Sequence, residues 1–97
     1  MKLRFAPRAT SDLIDIADFI GAESPQGARR VRDSILESLH LLADFPRLGR
    51  RQSVEQVRKH VARRYGYIVY YQIDETADEL IVLTIQHPAR KRPLFDR

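Results

Sequence analysis

The chain has 97 residues, which is one domain's worth and too few for two. Hydrophobic residues make up 43% and charged residues 31%, enough apolar content for a packed core, so wholesale disorder is excluded. Lysine and arginine outnumber aspartate and glutamate 17 to 13, and the net charge of +4 favours acidic partners: nucleic acid, or an acidic protein segment.

Lys2 to Phe5 alternates charged and apolar residues and reads as a short strand stopped by Pro7. Ala9, Leu13, Ile16, Ala17 and Ile20 then recur at helical spacing on one face, with Asp12, Asp15 and Asp18 off it and Gly21 at the end. Ser24-Pro25 starts a second helix, since serine caps and proline suits the first helical position. Its stripe is Ala28, Val31, Ile35, Leu39 and Leu42, widened by Leu36 and Leu41, with Arg29 and Asp33 spaced to pair and His40 on the surface. Phe45-Pro46 closes it. Arg47 to Glu55 reads as a basic loop.

Three strand-like runs follow. Gln56 to Ala62 places Val57 and Val61 on one side and Arg58 and His60 on the other. Tyr67 to Ile73 is apolar on both faces, with Tyr67 and Tyr71 opposite Tyr70. Leu80 to Ile85 completes a hairpin across the polar turn 74–78. The expected fold is a single α+β domain over residues 1–97. Its order is β-α-α-β-β-β: an N-terminal strand, then an α-helical hairpin packed on a small, mainly antiparallel sheet whose other face is left to solvent or a partner.

The absence of cysteine excludes a disulfide framework, thiolate-held zinc and a thiol nucleophile. Three scattered histidines make no metal site, the glycines form no phosphate loop, and no cofactor is expected. No apolar run has signal-peptide or membrane-spanning length, so a soluble, cytoplasmic protein is expected. The chief functional signal is the basic second half: Arg47, Arg50, Arg51, Arg58, Lys59, Arg63, Arg64, Arg90, Lys91 and Arg92. Such a cluster suits phosphates or an acidic chain. His87, at the end of the last strand, is a candidate acid or base, although a lone histidine is more often structural.

Several pieces in order resemble the ParE/RelE superfamily of bacterial toxins. They are the first strand with Pro7, Ala9-xx-Asp12-Leu13-xx-Ile16-xx-Phe19-Ile20, and Pro25-xx-Ala28. Then come Leu42-xx-Phe45-Pro46-xx-Gly49-Arg50, Arg58, the run Tyr67 to Ile73, and Ile85-Gln86-His87-Pro88-Ala89-Arg90. The resemblance implies a toxin of a type II toxin–antitoxin module, neutralised by a cognate antitoxin that carries an extended, often acidic segment, in a toxin–antitoxin hetero-oligomer. RelE-like members cleave mRNA on the ribosome; ParE-like members poison DNA gyrase. RelE-like sequences place an arginine after the Gly-Tyr of the central strand, where this chain has Ile68 after Gly66-Tyr67. They also tend to carry a tyrosine near the C-terminus, where this tail offers Phe95, and Val61 stands where a basic residue would. The ParE-like reading, with plasmid stabilisation as a usual role, is therefore favoured. The alternatives are a RelE-like endoribonuclease, with His87, Arg58, Lys59 and Arg90 as its catalytic set, or an inactive relative that only binds antitoxin. The resemblance puts target contacts at Arg58, Arg63, Arg64, Tyr67, His87, Arg90 and Arg92. It puts antitoxin contacts at Leu13, Ile16, Ile20, Leu36, Arg58 and Tyr70. Metal is not implied.

Overall fold

The computed structural model describes residues 1–90, with only the backbone of Arg90; the sequence candidates Arg92 and Phe95 lie outside the described residues. Strand β1 (Lys2–Phe5) leads into helix α1 (Pro7–Gly21), then helix α2 (Pro25–Asp44), a 3-10 turn (Pro46–Leu48) and strands β2 (Arg50–Arg51), β3 (Val57–Val61), β4 (Ile68–Asp74) and β5 (Glu79–Gln86). A second 3-10 turn, Pro88–Arg90, follows. The five strands form one sheet in the order β1-β5-β4-β3-β2.

The helices begin and end where the local chemistry dictates. Pro7 occupies the first turn of α1. Ser24 caps α2 by accepting the Gly27 N–H at 3.0 Å, with Pro25 behind it. The helix stops at Asp44 because Phe45 precedes a proline.

The α+β fold is the one expected, and the sheet is mainly antiparallel: β2, β3, β4 and β5 pair antiparallel in turn. Its other edge differs. β1 pairs parallel with β5, Leu3 opposite Leu80 and Phe5 opposite Val82. Short turns constrain only the last strands, whereas β1 feeds straight into the helical hairpin and is free to lie in either sense. β2 also corrects the loop expected from Arg47 to Glu55. Arg50 pairs with Lys59 and Arg51 with Arg58, and so short and charged a strand carries no alternation to reveal it.

The main core lies between hairpin and sheet. Ala9, Val31, Ile35, Leu39 and Leu42 meet Ala62, Tyr67, Val69, Tyr71, Leu80, Val82 and Ile85. A second, smaller cluster joins Val57, Ile68 and Tyr70 with Leu83, so Tyr70 points away from Tyr67 and Tyr71, as the strand period requires.

Four helix residues differ from expectation. Ala17 and Leu41 are exposed, at the flanks of their stripes. Asp33 pairs with its neighbour Arg32 at 3.2 Å, not with Arg29, an exposed contact of little energetic weight. Asp12 turns inward: its Oδ2 accepts the Thr84 hydroxyl at 2.6 Å and the Ile85 N–H at 2.9 Å. The cause is a bulge in the β4–β5 ladder, where Tyr70 faces Thr84 and Tyr71 faces Val82, so that Leu83 is the extra residue. The bulge takes the Ile85 N–H out of the ladder, and α1 supplies the acceptor.

Leu39 is fully buried, so Leu39→Ala is expected to lower stability by about 2–5 kcal/mol. Asp12→Ala leaves a buried hydroxyl and an amide unpaired, at about 1–3 kcal/mol for each. Urea denaturation measures both; an unchanged midpoint for either variant would refute the contact it removes.

Candidate functional site

The segment after α2 is held from beneath by two side chains. Tyr71 Oη donates to the Pro46 carbonyl at 2.6 Å and accepts the Gly49 N–H at 2.8 Å. Arg58 Nη1 donates to the carbonyls of Gly49 at 2.8 Å and Arg47 at 3.2 Å. Gly49 is required by this approach, since a Cβ there would stand 2.5 Å from Tyr71 Oη. Burial pushes the Tyr71 phenol above its ordinary pKa, opposed by the Gly49 N–H and the Arg58 charge, so it remains a neutral donor at physiological pH. Arg58, named from sequence for target, antitoxin and catalysis, is thus a half-buried tie on the underside of the loop. Arg47 beside it pairs with Glu75 of the β4–β5 turn.

His87 leaves the end of β5 edge-on to Tyr67, ring centroids 5.3 Å apart and planes at 88°. Its Nδ1 accepts the Ala89 N–H at 3.0 Å. The neutral ring therefore carries its proton on Nε2, and the lone pair a general base would use is already engaged. Tyr67 is 3% exposed and forms a floor, its phenol raised by burial. These rings border a groove of about 410 Å³ against α1, lined also by Arg8, Asp15 and the exposed Phe19.

Arg63 and Arg64 occupy the tight β3–β4 turn. Arg64 (φ +73°) and Gly66 (φ +73°) both take the left-handed conformation. The Tyr65 N–H bonds the Arg63 carbonyl, which also accepts the Ser34 hydroxyl of α2 at 3.0 Å. A non-glycine residue in that region costs about 1 kcal/mol or more, and the anchoring to α2 holds it there. Both arginine side chains are presented to solvent.

An apolar groove of about 250 Å³ runs between α1 and α2, lined by Leu13, Ile14, Ile16, Ala17, Ile35 and Leu36, with Arg32 at its rim. The structure brings Leu13, Ile16 and Leu36 together here, while Ile20 packs against the core. Arg58 lies under the loop, and Tyr70 is only 1% exposed. Sequence reasoning missed Ile14, which is 55% exposed. The signal was present: a large aliphatic residue off the core-facing stripe of an otherwise amphipathic helix.

Among the described residues, no group of three or more histidine, aspartate or glutamate side chains is placed to hold a metal ion. No described helix is long and apolar enough to cross a membrane.

Gly49→Ala is expected to destabilise the fold by displacing Tyr71, and Tyr71→Phe to lose about 1–3 kcal/mol by orphaning two backbone groups. His60 is half-buried with Nε2 shut off from any partner, and burial lowers its pKa below 6.5. The unfolded chain therefore takes up this proton first, so the His60 contribution is present above about pH 6.5 and is lost as pH falls through the lower folded value. Melting temperatures from pH 7 to pH 5 should fall less for His60→Gln than for the parent chain; parallel curves would contradict the burial of the ring.

Residues 3–92 match the family model of the ParE toxin of type II toxin–antitoxin systems, parDE. The candidate toxin Y4kP of Sinorhizobium fredii is 28% identical over 92 residues, covering 95% of this chain and 93% of that protein. The fold is similar to that of a chain of the chromosomal ParDE system of P. aeruginosa (TM-score 0.75, 23% identity, 90% of this chain and 95% of that one). It is also similar to a chain of the intact E. coli RelBE toxin–antitoxin complex (TM-score 0.70, 19% identity, 94% and 98%). Nearly the whole length is thus accounted for, and the chain belongs to the ParE toxin family of type II toxin–antitoxin systems.

Proposed function

We propose that the chain arrests bacterial growth by poisoning DNA gyrase and is silenced by a cognate antitoxin. The observation that carries this over RNA cleavage is the state of two of the four residues a nuclease site would draw on, His87 and Arg58. His87 has its acceptor nitrogen engaged by Ala89, and Arg58 directs Nη1 at two loop carbonyls. A metal-independent ribonuclease needs a free base for the 2′-hydroxyl and mobile cations for the transition-state charge. A gyrase poison needs neither; it needs a rigid surface that docks. The Arg63–Arg64 turn, anchored by Ser34 and next to the His87 end of β5, is a surface of that kind.

The antitoxin, on this reading, lays an apolar helix along the α1–α2 groove through Leu13, Ile14, Ile16 and Leu36. Neighbours of the same fold come from ParDE and RelBE systems, which supports a partner of this type and a hetero-oligomeric complex. Both partners would act in the cytoplasm, where gyrase resides.

The test is a supercoiling assay with purified gyrase, the chain, and the protein encoded beside it. Inhibition that the neighbour relieves is the expected result. A folded chain that leaves supercoiling untouched but cleaves mRNA on ribosomes would replace this reading with the RelE-like one. A chain that does neither yet binds its neighbour is an inactive antitoxin-binding relative. In the same assay, Arg63→Ala/Arg64→Ala should weaken inhibition at least tenfold with an unchanged melting temperature; equal potency would remove the turn from the target surface.

A further inference from the structure

The surface carries a second basic feature, at the β2 edge of the sheet. A groove of about 720 Å³ runs along β2 and β3, lined by Arg50, Arg51, Gln52, Lys59, His60 and Val61, with Leu48 and Ser53 at its ends. Among the described residues its lining holds three formal cations and no carboxylate. The neighbouring groove on the other side of the loop is different: Arg51 borders it too, but there Arg47 and Arg58 are joined by Glu55, Asp74 and Glu75. Arg50 stands opposite Lys59 on adjacent strands, so their side chains share a face about 5 Å apart at the Cβ atoms. Arg50 and Arg51 are exposed, and among the described residues the ion pairs involve neither of them.

Two anionic chains could lie here, an acidic peptide or a nucleic-acid backbone. A peptide would enter by adding a strand to the β2 edge, and that edge is already blunted. Gln52 Nε2 donates to the carbonyls of both β2 residues, Arg50 at 3.0 Å and Arg51 at 3.2 Å. Arg50 faces β3, so the Arg51 carbonyl is the acceptor on the open edge; with Gln52 holding it, the edge offers guanidinium heads and few free acceptors, which suits phosphates bound through side chains.

We propose that the β2–β3 groove is a phosphodiester-binding site, through which the toxin contacts a nucleic-acid backbone directly and without sequence preference. Arg50 and Lys59 supply charge from one face of the edge and Arg51 from the other, so the three cations straddle a backbone lying along it. This goes beyond gyrase poisoning and does not depend on it, since the site would act on the nucleic acid itself, whatever protein holds it.

The experiment is fluorescence anisotropy of the full-length chain with labelled duplex DNA, single-stranded DNA and RNA of matched length, from 50 to 200 mM salt. Three phosphate contacts predict a drop in duplex affinity of about 40-fold over that range, and Arg50→Gln/Arg51→Gln should reduce the drop to about 3-fold. Arg50→Lys/Arg51→Lys keeps the charge and should keep most of the salt dependence. Lys2→Gln/Arg29→Gln removes as much charge from the opposite edge and from the exposed side of α2, and should leave the drop near that of the parent chain. The three nucleic acids separate DNA from RNA as the source of the backbone. The proposal is overturned if none of them binds at 50 mM salt, or if the two Gln variants behave alike. It also fails if polyglutamate displaces the nucleic acid at equal charge concentration, which would make the groove a site for an acidic peptide. Circular dichroism of each variant separates loss of the site from loss of the fold.

Discussion

One hydroxyl organises the half of the molecule that follows the helices. Tyr71 Oη sits at the centre of the sheet and reaches both ends of the turn after α2, donating to Pro46 and accepting from Gly49. The turn has to be this close, since Gly49 leaves no room for a Cβ against the ring. Arg58, its cross-strand neighbour, takes the carbonyls that Tyr71 does not. Each of these groups would be costly to leave buried and unpaired, so the set stabilises the loop far more as a whole than any one bond suggests. With the loop fixed, the chain enters β2 at Arg50, and the exposed edge of the sheet falls where it does.

The second tie joins the helical hairpin to β5. Asp12 bridges from α1 to the bulge in β5, so the helical hairpin is registered on the sheet by a polar contact as well as by Ala9 and Leu39. The bulge adds twist just upstream of His87. A carboxylate from a helix far away in sequence is thus bonded to Thr84 and Ile85, two and three residues before His87 and its contact with Tyr67.

What could be read from the sequence follows this division between local and distant causes. Helical stripes, the Ser24 cap, the stop at Phe45-Pro46 and the opposed faces of Tyr70 and Tyr71 are local periodicities, and all are present in the fold. The two residues of β2 have no periodicity to read, the inward turn of Asp12 needs a bulge that nothing near it encodes, and the parallel sense of β1 is set by packing over β5. For the site, the residue types were legible and their duties were not. Arginine 58 has the same sequence credentials as Arg50 or Arg63, and only the placement of the loop carbonyls distinguishes them.

That distinction decides where a partner can bind. A side chain engaged by the fold is poor at recognition, because a ligand must first compensate the bonds it breaks. Arg58, Tyr71, Tyr67 and Asp12 are engaged in this way. Arg50, Arg51, Arg63 and Arg64 are exposed, and they stand on elements held rigidly from below: a strand paired to β3, and a strained turn tied to α2. On a rigid frame only the side-chain rotamer entropy, and no backbone entropy, is lost when such a charge meets an anion. The apolar groove of the hairpin, on another side of the molecule, offers the complementary kind of surface, where burial drives association. A small domain can thus present one face for capture by an apolar helix and keep its cations for a target.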